Sequence, residues 1–130
     1  MTDPIRKVVE EYYRAMVSGD GPAIGRLFDP EARFQGWRDG AEVRRDLPAF
    51  ISMVETPGAA DDREEWAVAF THRTGPIAVV RVVDRFRGRY YTDYLTLAET
   101  HGGWVIVNKC FYAHPPETET LAEAVGVSGR

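Results

Sequence analysis

The hydrophobic residues of this 130-residue chain change their period once, near residue 63, and that change limits how the chain can fold. Before it, apolar side chains recur every three or four positions, the spacing of one helix face. After it, β-branched and aromatic residues run in stretches broken by turn signals, as in an antiparallel meander. Helices first and strands afterwards is the order of an α+β domain, with the helices laid on one face of a curved, mostly antiparallel sheet.

Asp3-Pro4 predicts a helix start, because an Asp N-cap satisfies orphan amides and proline suits the first helical position. Ile5, Val8, Val9, Tyr12, Tyr13, Met16 and Val17 form its apolar stripe, and Gly19 stops it. A short second helix runs through Ala23, Ile24, Leu27 and Phe28 to Asp29-Pro30. Arg33 to Trp37 reads as a strand ended by Asp39-Gly40, and a third helix starts near Asp46 to Pro48 and ends at Pro57-Gly58. Four strands follow: Trp66 to Arg73, Ile77 to Phe86, Tyr90 to Ala98 and Trp104 to Tyr112. The reading is one domain over residues 1–115 with a tail over 116–130, in which Thr120-Leu121-Ala122-Glu123 has the form of a capping box.

Composition excludes several classes of function. A net charge of -4 offers no basic footprint for nucleic acid or an anionic membrane. No apolar run approaches the length of a membrane span, and the N-terminus has no signal-like segment, so the chain reads as cytoplasmic. The single cysteine, Cys110, permits no intramolecular disulfide, and on a central strand it reads as buried and inert. No His, Asp and Glu set has metal-ligand spacing, and no glycine-rich phosphate loop or serine elbow is present, so neither metal nor cofactor is expected.

The residue that carries chemistry is Asp93, within Thr92-Asp93-Tyr94-Leu95-Thr96-Leu97. An ionised carboxylate among apolar neighbours is costly unless it is paired, and such positions are where acids and bases are tuned. Its surroundings depend on the turn that joins it to Trp104-Val105-Ile106-Val107-Asn108-Lys109-Cys110-Phe111. With a Gly102-Gly103 loop, Asp93 faces Tyr112, with Cys110 and His114 as diagonal neighbours. With a His101-Gly102-Gly103 loop it faces Phe111, and Lys109 becomes the neighbour. Asp93 is accordingly either a pocket acid or base or a structural carboxylate held by backbone or Lys109. His114, just before Pro115-Pro116, and His72, near a strand end, are the side-chain type that can exchange protons near neutral pH, or else simply solvent-facing residues. Phe34, Trp37, Phe50, Met53, Trp66, Phe70 and Tyr91 are numerous enough to line a pocket, and Lys109 joins them as a ligand contact. Arg81, Arg85, Arg87 and Arg89 form either a solvated ribbon or an anion site.

Tyr13 to Asp20, Leu27-Phe28-Asp29-Pro30-Glu31-Ala32 and the hairpin around Asp93 and Lys109 together resemble the NTF2-like superfamily. The likeness runs over residues 4 to 115 and is greatest to its lumazine-binding branch. The resemblance implies a conical pocket between helices and sheet, commonly in a homodimer joined through the sheet. Members isomerise steroids, dehydrate or cyclise polyketide-like molecules, or bind partners without catalysis. Ketosteroid isomerase-like members use a tyrosine placed like Tyr13 to stabilise an oxyanion; their aspartate base has no counterpart among Phe34, Gln35, Gly36 and Trp37.

Two functions stand side by side on this reading. One is a protein that binds an apolar, ring-containing small molecule and acts as a cofactor-free isomerase, dehydratase or cyclase. Asp93 would be its acid or base, Tyr13 and Tyr112 would orient an oxygen, and His114 would lie nearby. The other is a non-catalytic dimeric accessory module whose sheet is the working surface.

Overall fold

The computed structural model describes residues 3–59, 61 and 63–127. Three helices, α1 (Pro4–Ser18), α2 (Gly21–Leu27) and α3 (Leu47–Glu55), precede most of the strands and pack on one face of a curved six-stranded sheet. The strands are β1 (Phe28–Arg38), β2 (Ala41–Asp46), β3 (Trp66–Thr74), β4 (Ile77–Phe86), β5 (Arg89–Thr100) and β6 (Gly103–Ala113), ordered β2-β1-β6-β5-β4-β3. All neighbours are antiparallel except β1 and β6.

The helix starts follow from capping chemistry. Asp3, Asp20 and Asp46 each accept a backbone N–H of the first turn, and a proline sits at the start of each helix. Gly19, at φ 73, closes α1 in the left-handed conformation. The stripe of α1 buries Ile5, Val9, Tyr12, Tyr13 and Met16 against the sheet. Phe34 of β1 stacks on Phe50 of α3 at 4.2 Å, and Phe28 packs against both. Burial of each such ring contributes about 1.5–3 kcal/mol.

Two elements depart from the sequence reading. Asp39-Gly40 does not end a strand before a helix; it is the turn of a hairpin, with φ of 53 and 79, and β2 returns along β1. An Asp-Gly pair is the preferred two-residue hairpin turn because both residues take positive φ. β1 also begins at Phe28 rather than Arg33. Its parallel register to β6 jumps between Phe28 and Arg33, and Pro30, which has no N–H to give, lies within that irregularity.

The tail forms α4 (Leu121–Gly126), capped by Thr120, on the sheet face opposite the other helices. Ala124 is buried with Val83 and Tyr90, while Arg81 donates to the Val125 and Val127 carbonyls. Alternation along β6 puts Cys110 on this outer face, exposed, which corrects its reading as a buried residue.

The arginine stretch is neither a solvated ribbon nor a surface anion site. Arg85 pairs with Asp61 at 2.8 Å. Arg89 grips Asp39 with two hydrogen bonds, at 2.6 and 3.1 Å, and donates to the His114 carbonyl. Arg87, at the β4–β5 turn, donates to the carbonyls of Met53, Val54 and Thr56, closing the C-terminus of α3. It reaches them past Gly58, where a Cβ would fall 2.5 Å from the arginine side chain. Arg87→Ala is expected to cost about 1–3 kcal/mol, because several helix-end carbonyls lose their donor together. Urea denaturation checks this value, and a loss near zero would mean that water replaces the guanidinium.

Candidate functional site

Hairpin register decides what surrounds Asp93. The β5–β6 turn is the two-residue loop His101-Gly102, and a bulge at Val107 then shifts the pairing by one residue, so Asp93 faces Phe111. This is the pairing expected from a three-residue loop, reached instead by a shorter turn and a bulge. Lys109 becomes the diagonal neighbour of Asp93, while Tyr112 and His114 are carried away from it.

Four polar side chains meet on the concave face. Asp93 (0% exposed) accepts a hydrogen bond from the Tyr12 hydroxyl at 2.8 Å, and Lys109 donates to that hydroxyl at 2.7 Å. The Lys109 ammonium lies 3.8 Å from the Asp93 carboxylate. It is boxed by the rings of Phe50, Tyr12 and Phe111, with centroids 4.7, 5.2 and 5.4 Å away, an arrangement that favours a cation. The fourth member is Asp84 (1% exposed), paired across the strands with Tyr91 and one step diagonal to Asp93. Apart from the hydrogen bond that the two carboxyls make with each other, neither Asp84 oxygen nor the second Asp93 oxygen has a partner among the described residues.

Such crowding sets the protonation order. Burial, then the negative charge of Asp93, push the Asp84 carboxyl well above the usual carboxylate range, against the opposing pull of Lys109. Burial, followed by Asp93 and Asp84, likewise drives the Tyr12 phenol well above its ordinary value. The cluster thus sets a carboxyl that burial pushes toward its neutral form beside one held by Tyr12 and Lys109, the kind of pairing that separates acid and base roles in active sites.

A cavity of about 350 Å³ opens onto this cluster. Asp84, Tyr91 and Lys109 reach it from the sheet, Met16 from α1, and Phe50 and Met53 from α3. Phe86, Arg87, Phe111 and the hairpin residues Arg38, Val43 and Arg45 complete the wall, with Gly58 and Ala59 at the rim. Gly36 shapes it: a Cβ there would fall 2.4 Å from the Phe111 carbonyl oxygen and 2.5 Å from its ring, so only glycine lets Phe111 lie where it does. Arg38 donates to the Tyr91 hydroxyl at the cavity edge.

Of the residues singled out from sequence, Phe50, Met53, Tyr91 and Lys109 line the cavity, and Asp93 sits directly behind its wall. Phe34 is buried under Phe50, Trp66 stacks on Tyr13, and Trp37 stands 52% exposed on the outer face; none of the three lines the cavity. Tyr13 is elsewhere as well. Its hydroxyl donates to the Arg85 carbonyl at 2.7 Å and accepts from the Glu65 N–H at 3.1 Å. Burial pushes its phenol up to about 12. It ties α1 to β4 and to the segment before β3, while the neighbouring Tyr12 takes the polar place. Tyr112 lies exposed on the outer face, its ring 4.9 Å from that of His114. His114 is buried there, 2.7 Å from the Thr92 hydroxyl, and burial and Arg81 hold its imidazole below the ordinary value. The exposed Phe70 stacks on His72.

Sequence reasoning missed Asp84, Tyr12, Arg38 and Arg45. The signal for Asp84 was present: Ala78, Val80, Val82, Asp84 and Phe86 alternate in phase, so the aspartate shares the buried face of its strand. Recognising Asp39-Gly40 as a hairpin turn would have put Arg38 and Arg45 on the same face as Phe34.

Solved structures with this architecture are numerous. An NTF2-like protein of unknown function from Silicibacter pomeroyi DSS-3 is 32% identical over 85% of this chain and 93% of its own, with a TM-score of 0.80. One from Shewanella baltica OS155, also of unknown function, is 20% identical over 86% and 92%, with a TM-score of 0.78. A ketosteroid isomerase-like protein from Erwinia carotovora atroseptica SCRI1043 shares the fold at 13% identity over 87% and 95%, with a TM-score of 0.67. No curated protein matches the chain. The family model described as "Putative lumazine-binding" matches residues 1–112, and with the concave sheet, the three helices upon it and the Silicibacter relative, it establishes that the chain belongs to that family of the NTF2-like superfamily.

Proposed function

We propose that this protein binds a ring-containing small molecule in the cavity beneath α3 and moves a proton on it without a cofactor. The observation that carries the reading is Asp84: a buried carboxyl hydrogen-bonded among the described residues to nothing but the neighbouring Asp93 carboxyl, in the wall of a 350 Å³ cavity. A buried acid held against a second acid is expensive as structure and useful as chemistry. Asp84 is the group that reaches the ligand. Asp93, fixed by Tyr12 and Lys109, acts through it as a positioning residue, since its charge keeps the proton on Asp84. A protonated Asp84 gives its proton to a ligand oxygen, and the resulting carboxylate takes one back from an acidic carbon or water. Isomerisation, dehydration and cyclisation all use such a pair of transfers.

Asp84→Asn tests the reading, because it preserves shape and removes the proton. Ligand affinity is expected to stay within about threefold while turnover falls by at least about 100-fold. Unchanged turnover would overturn the assignment. Met53→Trp, which fills the cavity, is expected to abolish binding with the fold intact.

A specific observation favours dimerisation as well. Trp37 (52% exposed), Phe70 (51%), Tyr94 (50%) and Tyr112 (44%) stand together with Cys110 on the outer face of the sheet, a patch of the kind that marks association surfaces. We assign it to a homodimer joined through the sheet, with or without catalysis; light scattering of Tyr94→Lys should report a monomer where the native chain is a dimer. No helix among the described residues is long and apolar enough to cross a membrane. One cysteine that needs no disulfide suits a reducing cytoplasm.

A further inference from the structure

The cavity carries an imbalance of charge that its apolar walls conceal. Four cationic side chains line it: Arg38, Arg45, Arg87 and Lys109. Lys109 is balanced by Asp93. Arg87 spends its donors on the neutral carbonyls of α3, so its charge has no counterpart. Arg38 donates to the Tyr91 hydroxyl, and the carboxylate nearest to it, Asp39 at 3.9 Å, is already gripped by Arg89. Arg45 makes no ion pair or side-chain hydrogen bond among the described residues. The nearby acid Glu42 is taken by Arg44, at 2.9 Å. Asp84 is the only acid in the cavity wall among the described residues, and burial beside Asp93 pushes it toward its neutral form.

Register brings the two hairpin arginines to one end of the cavity. Arg45 pairs with Phe34, Val43 with Gly36 and Ala41 with Arg38, so Arg45 and Arg38 share the concave face and bracket the Val43–Gly36 pair. Gly36 in turn pairs with Phe111, whose ring it admits, and Phe34 with Lys109. Across the sheet the order is therefore the two arginines on β2 and β1, then Phe111 and Lys109 on β6, then Asp84 on β4, with the Phe50 ring over Lys109 from α3.

We propose that the ligand is an anion, a one- or two-ring aromatic or enolic carboxylate. Arg45 and Arg38 hold its carboxylate at the hairpin end, its ring lies between Phe50 and Phe111, and an oxygen at its far side meets Asp84. This deepens the reading of the cavity as a ligand site and rests on it. Guanidinium groups suit the role because their planar fork matches a carboxylate with two parallel hydrogen bonds. A half-buried setting weakens screening by solvent and makes that match count.

Three probes of one shape and different charge test the proposal by titration calorimetry on the full chain: 2-naphthoate, neutral 2-naphthamide and 2-naphthylmethylammonium. The naphthoate is expected to bind at least about tenfold more tightly than the amide, and the ammonium not to bind measurably. Arg45→Gln is expected to erase the advantage of the naphthoate over the amide while leaving amide affinity unchanged, and Arg38→Gln to reduce it. Equal binding of all three would overturn the anion assignment and leave the apolar pocket standing. Binding of none would overturn both readings. A naphthoate preference that survives both substitutions would overturn the assignment to the hairpin arginines.

Discussion

Replacement of Lys109 by methionine is expected to destabilise the protein by about 3–5 kcal/mol, the usual cost of leaving a buried charge without its partner. Methionine matches lysine in length and suits the rings of Phe50, Tyr12 and Phe111, so packing accounts for little of the loss. What remains is a fully buried Asp93 carboxylate that has lost its cation and keeps hydrogen bonds from the Tyr12 hydroxyl and the Asp84 carboxyl. Asp93→Asn in the same chain removes the charge, and the double variant is expected to recover most of the lost stability. The cycle of two single variants and one double variant, followed by urea denaturation at pH 7, isolates the interaction. A loss below about 1 kcal/mol in Lys109→Met would show that Asp93 is not an unscreened anion, and the proton order proposed for the cluster would fail with it.

Much of this architecture was legible because local signals agreed with the global fold. Asp3-Pro4, Asp20-Gly21-Pro22 and Asp46-Leu47-Pro48 each announce a helix, and the period-2 runs announce β3 to β6. The site was less legible, since it depends on quantities that local pattern does not carry. Whether Asp93 faces Tyr112 or Phe111 turns on a bulge at Val107, and nothing in Trp104 to Lys109 marks that residue as the extra one. Tyr12 and Tyr13 are adjacent on the same helical stripe and both are fully buried. Only the tertiary placement of Asp93 and of the Arg85 carbonyl decides which phenol joins the cluster and which ties the scaffold. The resemblance to isomerase-like relatives pointed to Tyr13, one residue from the phenol that meets the acid. Asp84 is readable from the phase of its strand, but Arg81 and Arg85 beside it make its run look charged, whereas Asp93 stands out as an acid among Tyr94, Leu95 and Leu97.

Asp84→Asn is expected to remove the loss of stability with rising pH that this site imposes. The Asp84 carboxyl titrates well above the usual carboxylate range in the folded chain, because it is buried beside Asp93, and in the ordinary range once unfolded. Below the ordinary range both states hold the proton and the wild type keeps its full stability. As pH climbs from there toward the raised native value, the folded state binds one proton more than the unfolded state, and stability falls by about 1.4 kcal/mol per pH unit. Asparagine has no proton to lose, and its amide can donate to Asp93 in place of the Asp84 carboxyl. His114 contributes a slope of opposite sign, since its depressed imidazole makes the native chain lose stability as pH falls below the ordinary histidine range. That slope is common to both proteins and cancels in their difference. Urea midpoints measured from pH 4.5 to 8 should therefore show the variant pulling ahead of the wild type as pH rises, by about 1.4 kcal/mol for each unit between the unfolded and the native value of Asp84. Parallel curves would mean that Asp84 is ionised throughout, with the Lys109 charge shared between both aspartates, and the acid role assigned to it would be lost. A divergence accompanied by loss of turnover makes the opposite case. An aspartate that weakens the fold where it stands, and whose isosteric amide strengthens it, is explained by what its proton does for a ligand rather than by what it does for the core.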